Sequence, residues 1–419
     1  MSFPFNLREK ISEIEASAYQ HYRLRFNPFP MSGVAPEHPR IFASRSKTYE
    51  RISDFIVRTY KSKKWAGLAI IAEYGNGKTH TLKLIRDQIN EELGTTPEGK
   101  CSAFYIENLG ESLRDLYLEF LGEVGFSLFV ELLWNVLCRR FAKKLNDEYL
   151  SKLRPQQVAL VTPPKNLAPF FISLSLFKTA LDKSYLSREK TSVEIRNFLK
   201  EVVSNDNLLK CCVILVTETD DERNDLAWKY ISGRSLTITQ YKKIGLDKGS
   251  ISDEDIGLEL FSDILKIFTE NSYTNIYLCL DEVEDIIPIP KQRKRELLGG
   301  LRRIIDNNQS NLAMIIATTM AGYVDLRASS PPLADRFPVL VELSPLNPSE
   351  TRELILQYLS MARVTPEEEN IYPFTEKLLE EIWKRTGGNV RKVLEACYRL
   401  LQAGVSQKAK VLDLSLLET

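Results

Sequence analysis

Short, unbroken apolar runs recur along the chain: Leu68–Ala72, Ile276–Leu280 and Leu312–Ala317, with Val339–Leu343 following as a run interrupted by Glu342. Runs of this length, bounded by polar residues, predict central strands buried on both faces. Between them the apolar period changes to that of a helix. Leu82, Leu84 and Ile85 share one helical face, as do Leu354, Ile355, Tyr358 and Leu359, and Phe126–Lys144 and Ser192–Val203 read as amphipathic helices. Asn347-Pro348-Ser349-Glu350 reads as N-cap, first-turn proline and capping-box glutamate; Gly387-Gly388 stops a later helix, and Asn389 can cap the next. Cys211–Val216 is too short for periodicity to decide between strand and buried helix. Strands alternating with helices predict an α/β chain around a parallel sheet.

Composition narrows the picture. The 419 residues are 43% hydrophobic and 27% charged, which suits two or three globular domains and excludes a disordered or disulfide-scaffold protein. Lys+Arg and Asp+Glu both total 56, so any polyanion contact must come from a local patch. Six cysteines without C-x-x-C spacing, and only three histidines, argue against zinc and for reduced core thiols. Charged residues in Met1–Lys10 argue against a signal peptide, and Glu131 interrupts the apolar stretch Val124–Leu137, too short to span a bilayer. A cytoplasmic protein with no membrane association is expected.

The first apolar run leads into Ala72-Glu73-Tyr74-Gly75-Asn76-Gly77-Lys78-Thr79, and a helix follows. Glycines let successive backbone N–H groups turn inward around a phosphate, and the helix adds the positive end of its dipole. Lys78 would then reach the β- and γ-phosphates and the Thr79 hydroxyl would ligate Mg²⁺, with Glu73, Tyr74, Gly75, Asn76, Gly77 and His80 completing the nucleotide contacts. The first position is Ala72 where the strict pattern has glycine.

The second run ends in Asp281-Glu282-Val283-Glu284. The carboxyl edge of a parallel sheet is where ligands sit. Asp281 would support the Mg²⁺ shell and Glu282 would polarise an attacking water. The third run ends in Thr318 and Thr319, hydroxyls that could hold the water or sense the γ-phosphate. Arg336, just before the last strand, could reach a nucleotide held by a neighbouring subunit, or simply pair with Asp335 or Asp325. Arg391 falls in the first turn of the helix capped by Asn389, where an arginine opposes the helix dipole unless an anion is near.

Taken in order, Ala72–Thr79, Leu278–Glu282, Thr318/Thr319, Leu333–Phe337 and Gly387–Lys392 resemble the Walker A, Walker B, sensor 1, arginine finger and sensor 2 of AAA+ ATPases, and within them the origin-recognition/initiator-type and TnsC-like clade. The resemblance implies a three-layer P-loop NTPase core, ATP and Mg²⁺ as ligands, and a homo-oligomer with the finger acting in trans. Phe26-Asn-Pro-Phe-Pro30 and Ile41–Arg45 resemble the stretch that lies against the adenine, Ser102–Glu107 supplies the expected second strand, and no Asn-Lys dipeptide of a guanine motif occurs. Leu226-Ala-Trp228 to Gly233 is similar to BREX-associated, phage-defence ATP-binding proteins and their archaeal relatives.

The spacing departs from compact relatives, with 203 residues between Lys78 and Asp281. The expected organisation is an N-terminal helical segment and adenine-side linker (1–60), a core (61–345) carrying a mainly helical insertion at about 122–250, and a helical lid (346–419). The insertion includes a Pro-marked loop, Arg154–Pro169, and would meet an unknown protein partner. The winged-helix module of initiators is not expected, since few residues follow Gln402. The candidate DNA contact is therefore Lys291, Arg293, Lys294 and Arg295, with Arg302 and Arg303 beyond, or else a solvated face. Three functions follow: an oligomeric ATPase that drives a conformational change on a DNA or protein partner, a nucleotide-gated recruitment switch with little turnover in mobile-element or phage-defence systems, or a DNA remodeller acting in replication, transposition or defence.

Overall fold

The computed structural model describes residues 18–32, 35–42, 45–145, 174–184, 187–365 and 370–417. At its centre β1 (Ala66–Ile71), β2 (Lys100–Ile106), β3 (Tyr273–Leu280), β4 (Leu312–Thr318) and β5 (Val339–Glu342) form one sheet in the order β2-β3-β4-β1-β5. Every pairing is parallel, as the apolar runs required. The register aligns the carboxyl ends: Ile71 lies opposite Thr318, Ala72 N donates to Thr318 O (3.0 Å), and Asp281 N donates to Ile106 O (2.9 Å). The tips of β1, β3 and β4 thus sit side by side.

Alternate residues of each strand face opposite layers. Leu68, Ile70, Ala103, Tyr277 and Ile315 pack against α1 (Ser46–Ser62) and α2 (Lys78–Glu92). Ala69, Phe104, Leu278 and Met314 face the other layer, which opens with α3 (Leu113–Leu145). Gly125, at φ 71° and ψ 157°, breaks α3 into two segments. Among the described residues this is the one helical stretch, Leu113–Arg139, long and apolar enough to cross a membrane by length and composition. Leu116, Tyr117, Phe120, Phe129 and Leu133 are fully buried in the core.

The insertion continues as α4 (Leu174–Asp182), α5 (Arg188–Leu199), α6 (Asp206–Thr217), α7 (Asp221–Ile231) and α8 (Ile238–Lys243). Cys211–Val216 is helical. Asn205 caps α6 by accepting from Leu208 N (3.0 Å), and Leu208, Cys211, Cys212 and Leu215, spaced i, i+3, i+4, i+7, are all buried. The loop Arg154–Pro169 lies outside the described residues. The insertion shares its interior with the sheet layer, because Ile195, Leu208 and Tyr230 join the cluster of Phe120 and Phe104. α9 (Phe261–Glu270), α10 (Lys291–Asn307) and α11 (Met320–Ser329) complete that layer.

The lid is α12 (Pro348–Ala362), α13 (Glu376–Thr386) and α14 (Val390–Ser406). The capping box forms as read, Asn347 accepting from Glu350 N and Glu350 accepting from Asn347 N. Tyr19, Tyr22, Leu24, Phe29 and Ile41 belong to the lid's core, while α1 packs on the sheet. Fully buried Arg363 ties the two pieces, donating to Tyr22 O (3.2 Å) and Asn370 O (2.8 Å). The described part of the expected 1–60 segment is therefore divided, its buried hydrophobic residues before α1 joining the lid and α1 joining the core.

Candidate nucleotide-binding site

The loop after β1 turns because its two glycines take backbone angles that other residues resist, φ 80° at Gly75 and 90° at Gly77. α2 starts at Lys78, aiming its first N–H groups into a cleft of roughly 1300 Å³ that is open to solvent. The cleft runs from Asp281, Glu282, Glu284 and Glu107 at one end to Pro30, Pro36, Ile41, Leu354, Tyr358 and Leu394 at the other. A polar, charged end and an apolar end suit phosphates and a base respectively. Gly75, Asn76, Gly77, Lys78, Thr79, His80 and Tyr74 all line it, whereas Glu73 is exposed beside it. His80 hydrogen-bonds the Ile41 carbonyl, fixing the apolar strap to α2, and burial lowers its pKa.

The acidic strand tip meets the loop directly. Asp281 is 1% exposed; Thr79, Tyr105 (3.0 Å) and the Glu282 N–H (2.9 Å) all donate to it. Burial outweighs these donors and raises its pKa. Glu282 has left-handed backbone (φ 47°), which costs an ordinary residue about 1–2 kcal/mol and turns the chain sharply off β3. Its carboxylate is exposed, and partial burial together with Asp285, Asp281, Glu107 and Glu284 raises its pKa. Thr318 is fully buried, and its Oγ1 makes no hydrogen bond among the described residues. Thr319 spends its hydroxyl as the N-cap of α11, accepting from Gly322 N (3.1 Å).

Three residues that the motif reading passed over complete the site. Glu284 is buried and pairs with Lys78 Nζ at 2.9 Å. It stood in the acidic run Asp281–Glu284, but only the 3₁₀ turn Val283–Ile286 returns it to the loop. Arg45 is 8% exposed and donates to Asn76 O (3.0 Å) and Ser344 O (2.6 Å); burial lowers its pKa to about 10. Asn389, read as a cap, does that and more. It accepts from Lys392 N (3.2 Å) while its amide donates to Tyr74 O (2.8 Å), and a Cβ at Gly75 would fall 2.7 Å from its Oδ1. Arg391 lines the cleft, and its N–H donates to Gly75 O (2.9 Å). Asn389→Ala should lose the cap and the loop contact together, about 1–2 kcal/mol of stability by chemical denaturation, where a surface asparagine would lose almost nothing.

Arg336 lies elsewhere. Its carbonyl would fall 2.1 Å from a Cβ on Gly67, at the start of β1, roughly 16 Å of strand away from Ala72. It pairs with Asp306 at 2.6 Å, not with Asp335 or Asp325. Asp325 is taken by Lys294 (2.8 Å), which is 8% exposed, so Lys294 is withdrawn from the expected DNA patch. The spacing of α10 buries it on the face that carries Leu297, Leu298 and Leu301. Arg293 pairs with Glu111 (2.7 Å) on the surface, and Lys291, Arg295 and Arg303 are exposed cations on the same helix.

The sheet order and the loop on β1 are those of an AAA+ P-loop NTPase. Solved structures of similar arrangement include the Aeropyrum pernix ORC2 protein in ADPNP–ADP complexes (12% identity, TM-score 0.47, covering 92% of this chain and 68% of that one). The Aeropyrum pernix ORC1 protein in complex with DNA is similar at 10% identity and TM-score 0.45, covering 91% of this chain and 65% of its own. A stretch of 102 residues is 31% identical to an uncharacterized HTH-type transcriptional regulator of Methanocaldococcus jannaschii, spanning 23% of this chain and 25% of the regulator. Residues 186–401 match the family described as BREX system ATP-binding protein BrxC/D. Since that match runs through more than half of the chain, from the insertion across the acidic strand and into the lid, the chain belongs to the BrxC/D family of ATP-binding proteins.

Proposed function

We propose that the chain hydrolyses ATP bound between the core (61–345) and the lid (346–419), in an assembly where Arg336 of a second copy completes the site. The observation that carries this reading is the adjacency of the Thr79 hydroxyl, the buried Asp281 carboxylate and the neighbouring Glu282 at one strand tip. Lys78 and the amides after Gly75 would hold the phosphates. Glu282 would take a proton from water, for which a raised pKa makes it a better base. The buried Thr318 hydroxyl, with no other partner among the described residues, would orient that water or the γ-phosphate, and Arg391 would reach the same phosphate from the lid.

The donor set suits a hard divalent cation. Thr79 and Asp281 are oxygen donors, and Glu282, Glu284 and Glu107 line the same end, so the phosphate end is rich in anions. Mg²⁺ would be held there by Thr79 and Asp281, and its chemistry is charge neutralisation of the phosphates.

The proposed assembly is supported by distance, since Arg336 sits at the far end of β1 from its own loop and could serve only a second copy's nucleotide. Its pair with Asp306 is about one-third exposed on each side, and such pairs contribute ~0–1 kcal/mol. A finger is worth far more, so Asp306 holds Arg336 without trapping it. A partner protein would meet the insertion, where Phe126, Val193 and Ile238 are exposed. We assign α10 no part in the nucleotide cycle; a DNA contact there would rest on Lys291, Arg293 and Arg295, with Arg303 beyond.

The direct test is calorimetric titration of nucleotide into the wild type and Lys78→Ala. The variant should lose at least about 100-fold in affinity, because the loop keeps its amides but loses its ammonium. Equal affinity would remove the loop from the proposal. A second reading is a nucleotide-gated switch with little turnover, in which Arg336 would stay with Asp306 of its own chain. Phosphate release that stays at background at every chain concentration would select the switch.

A further inference from the structure

Glu284 makes two contacts that join the phosphate loop to the element beyond β4. One carboxylate oxygen lies 2.9 Å from Lys78 Nζ, with both side chains under a tenth exposed. The other accepts the backbone N–H of Thr319 at 3.2 Å. A Cβ at Gly322 would fall 2.9 Å from Glu284 Cβ, so the first turn of α11 is packed on this carboxylate. Lys78 also donates to Ala72 O (3.0 Å), and its ammonium lies 4.7 Å from the exposed Tyr74 ring. Among the described residues its ion pair is with Glu284, although Asp281 and Glu282 stand close by.

A carboxylate and a phosphate are both anions seeking the same ammonium, and in a buried site their mutual repulsion is poorly screened. An orienting role alone would not require charge, since a neutral amide could hold Lys78 in place. Resting on the ATP-binding reading above, we propose that Glu284 is an internal anion that competes with the nucleotide's terminal phosphates for Lys78, and that its displacement is read at the start of α11 through the Thr319 N–H. α11 leads through the turn Pro331–Ala334 to Arg336, so nucleotide occupancy is coupled to the segment that would serve a neighbouring copy. Glu284 is thus a positioning residue that acts through Lys78 and α11.

The test is Glu284→Gln in the full chain, titrated with Mg-ADP and with a non-hydrolysable Mg-ATP analogue. The glutamine keeps an acceptor for Thr319 but carries no charge to compete. Expected are binding about tenfold tighter than wild type, a lower melting temperature without nucleotide, and a larger nucleotide-induced rise. In the wild type, hydrogen exchange over Thr319–Tyr323 should change on adding nucleotide, and in the variant it should not. Affinity equal to or weaker than wild type in a folded variant overturns the proposal. Should the variant fail to fold, the wild-type exchange measurement decides alone: no nucleotide response over Thr319–Tyr323 overturns it. If the wild type binds no nucleotide, the site reading falls and this proposal with it; binding with no Glu284 effect sinks only the competition.

Discussion

Arg336→Ala is expected to lower ATP turnover by about 10³–10⁵-fold, roughly 4–7 kcal/mol of transition-state stabilisation, while leaving nucleotide affinity within a few-fold of wild type. Arg336 is anchored by Asp306 at the amino end of β1, and its side chain cannot cross the length of that strand to its own phosphate loop. On the proposed reading its charge would act on a nucleotide held by another copy. Mixing settles this. Arg336→Ala chains combined with Lys78→Ala chains should recover activity, because each supplies what the other lacks; steady-state phosphate release measures it. Wild-type turnover by Arg336→Ala alone would remove the finger, and failure of the mixture would remove the action in trans.

Glu282→Gln should retain nucleotide and lose turnover by about 10²–10⁴-fold, or roughly 3–5 kcal/mol. Glu282 is exposed at the cleft while its neighbour Asp281 is buried and engaged by Thr79, Tyr105 and the Glu282 N–H, a difference that suits the proposed division of water to Glu282 and metal to Asp281. Burial and four surrounding carboxylates raise the Glu282 pKa. A base must be deprotonated to act, so the acid limb of the turnover profile should lie above the ordinary carboxylate range. In Glu282→Gln that limb should vanish with the activity. Rapid turnover by the variant would return the role to another group.

The motif residues were legible because their chemistry is local. A glycine-rich loop between an apolar run and a helix has few uses, and its Lys78 and Thr79 stand beside Asp281 as the order of the motifs implied. Arg336 illustrates the opposite case. Its importance was read from its place before β5, but its partner Asp306 lies thirty residues earlier at the end of α10, and no spacing rule joins them. Lys294 failed as a DNA contact for a related reason. In a basic run every cation looks exposed, yet one helical face must carry the apolar residues, and Lys294 falls on it.

By itself, the sequence determined the parallel α/β core, the phosphate loop, the acidic strand tip and the capped lid helices. Each of these depends on a period or a pattern within a few residues, set by backbone geometry. Only the tertiary structure decided that Glu284 answers Lys78, that Asn389 grips the loop while capping its helix, and that Tyr19, Tyr22, Leu24, Phe29 and Ile41 belong to the lid's core. Those pairings join positions up to several hundred residues apart. What selects them is the requirement that a buried charge or amide find a partner once the chain has closed around it.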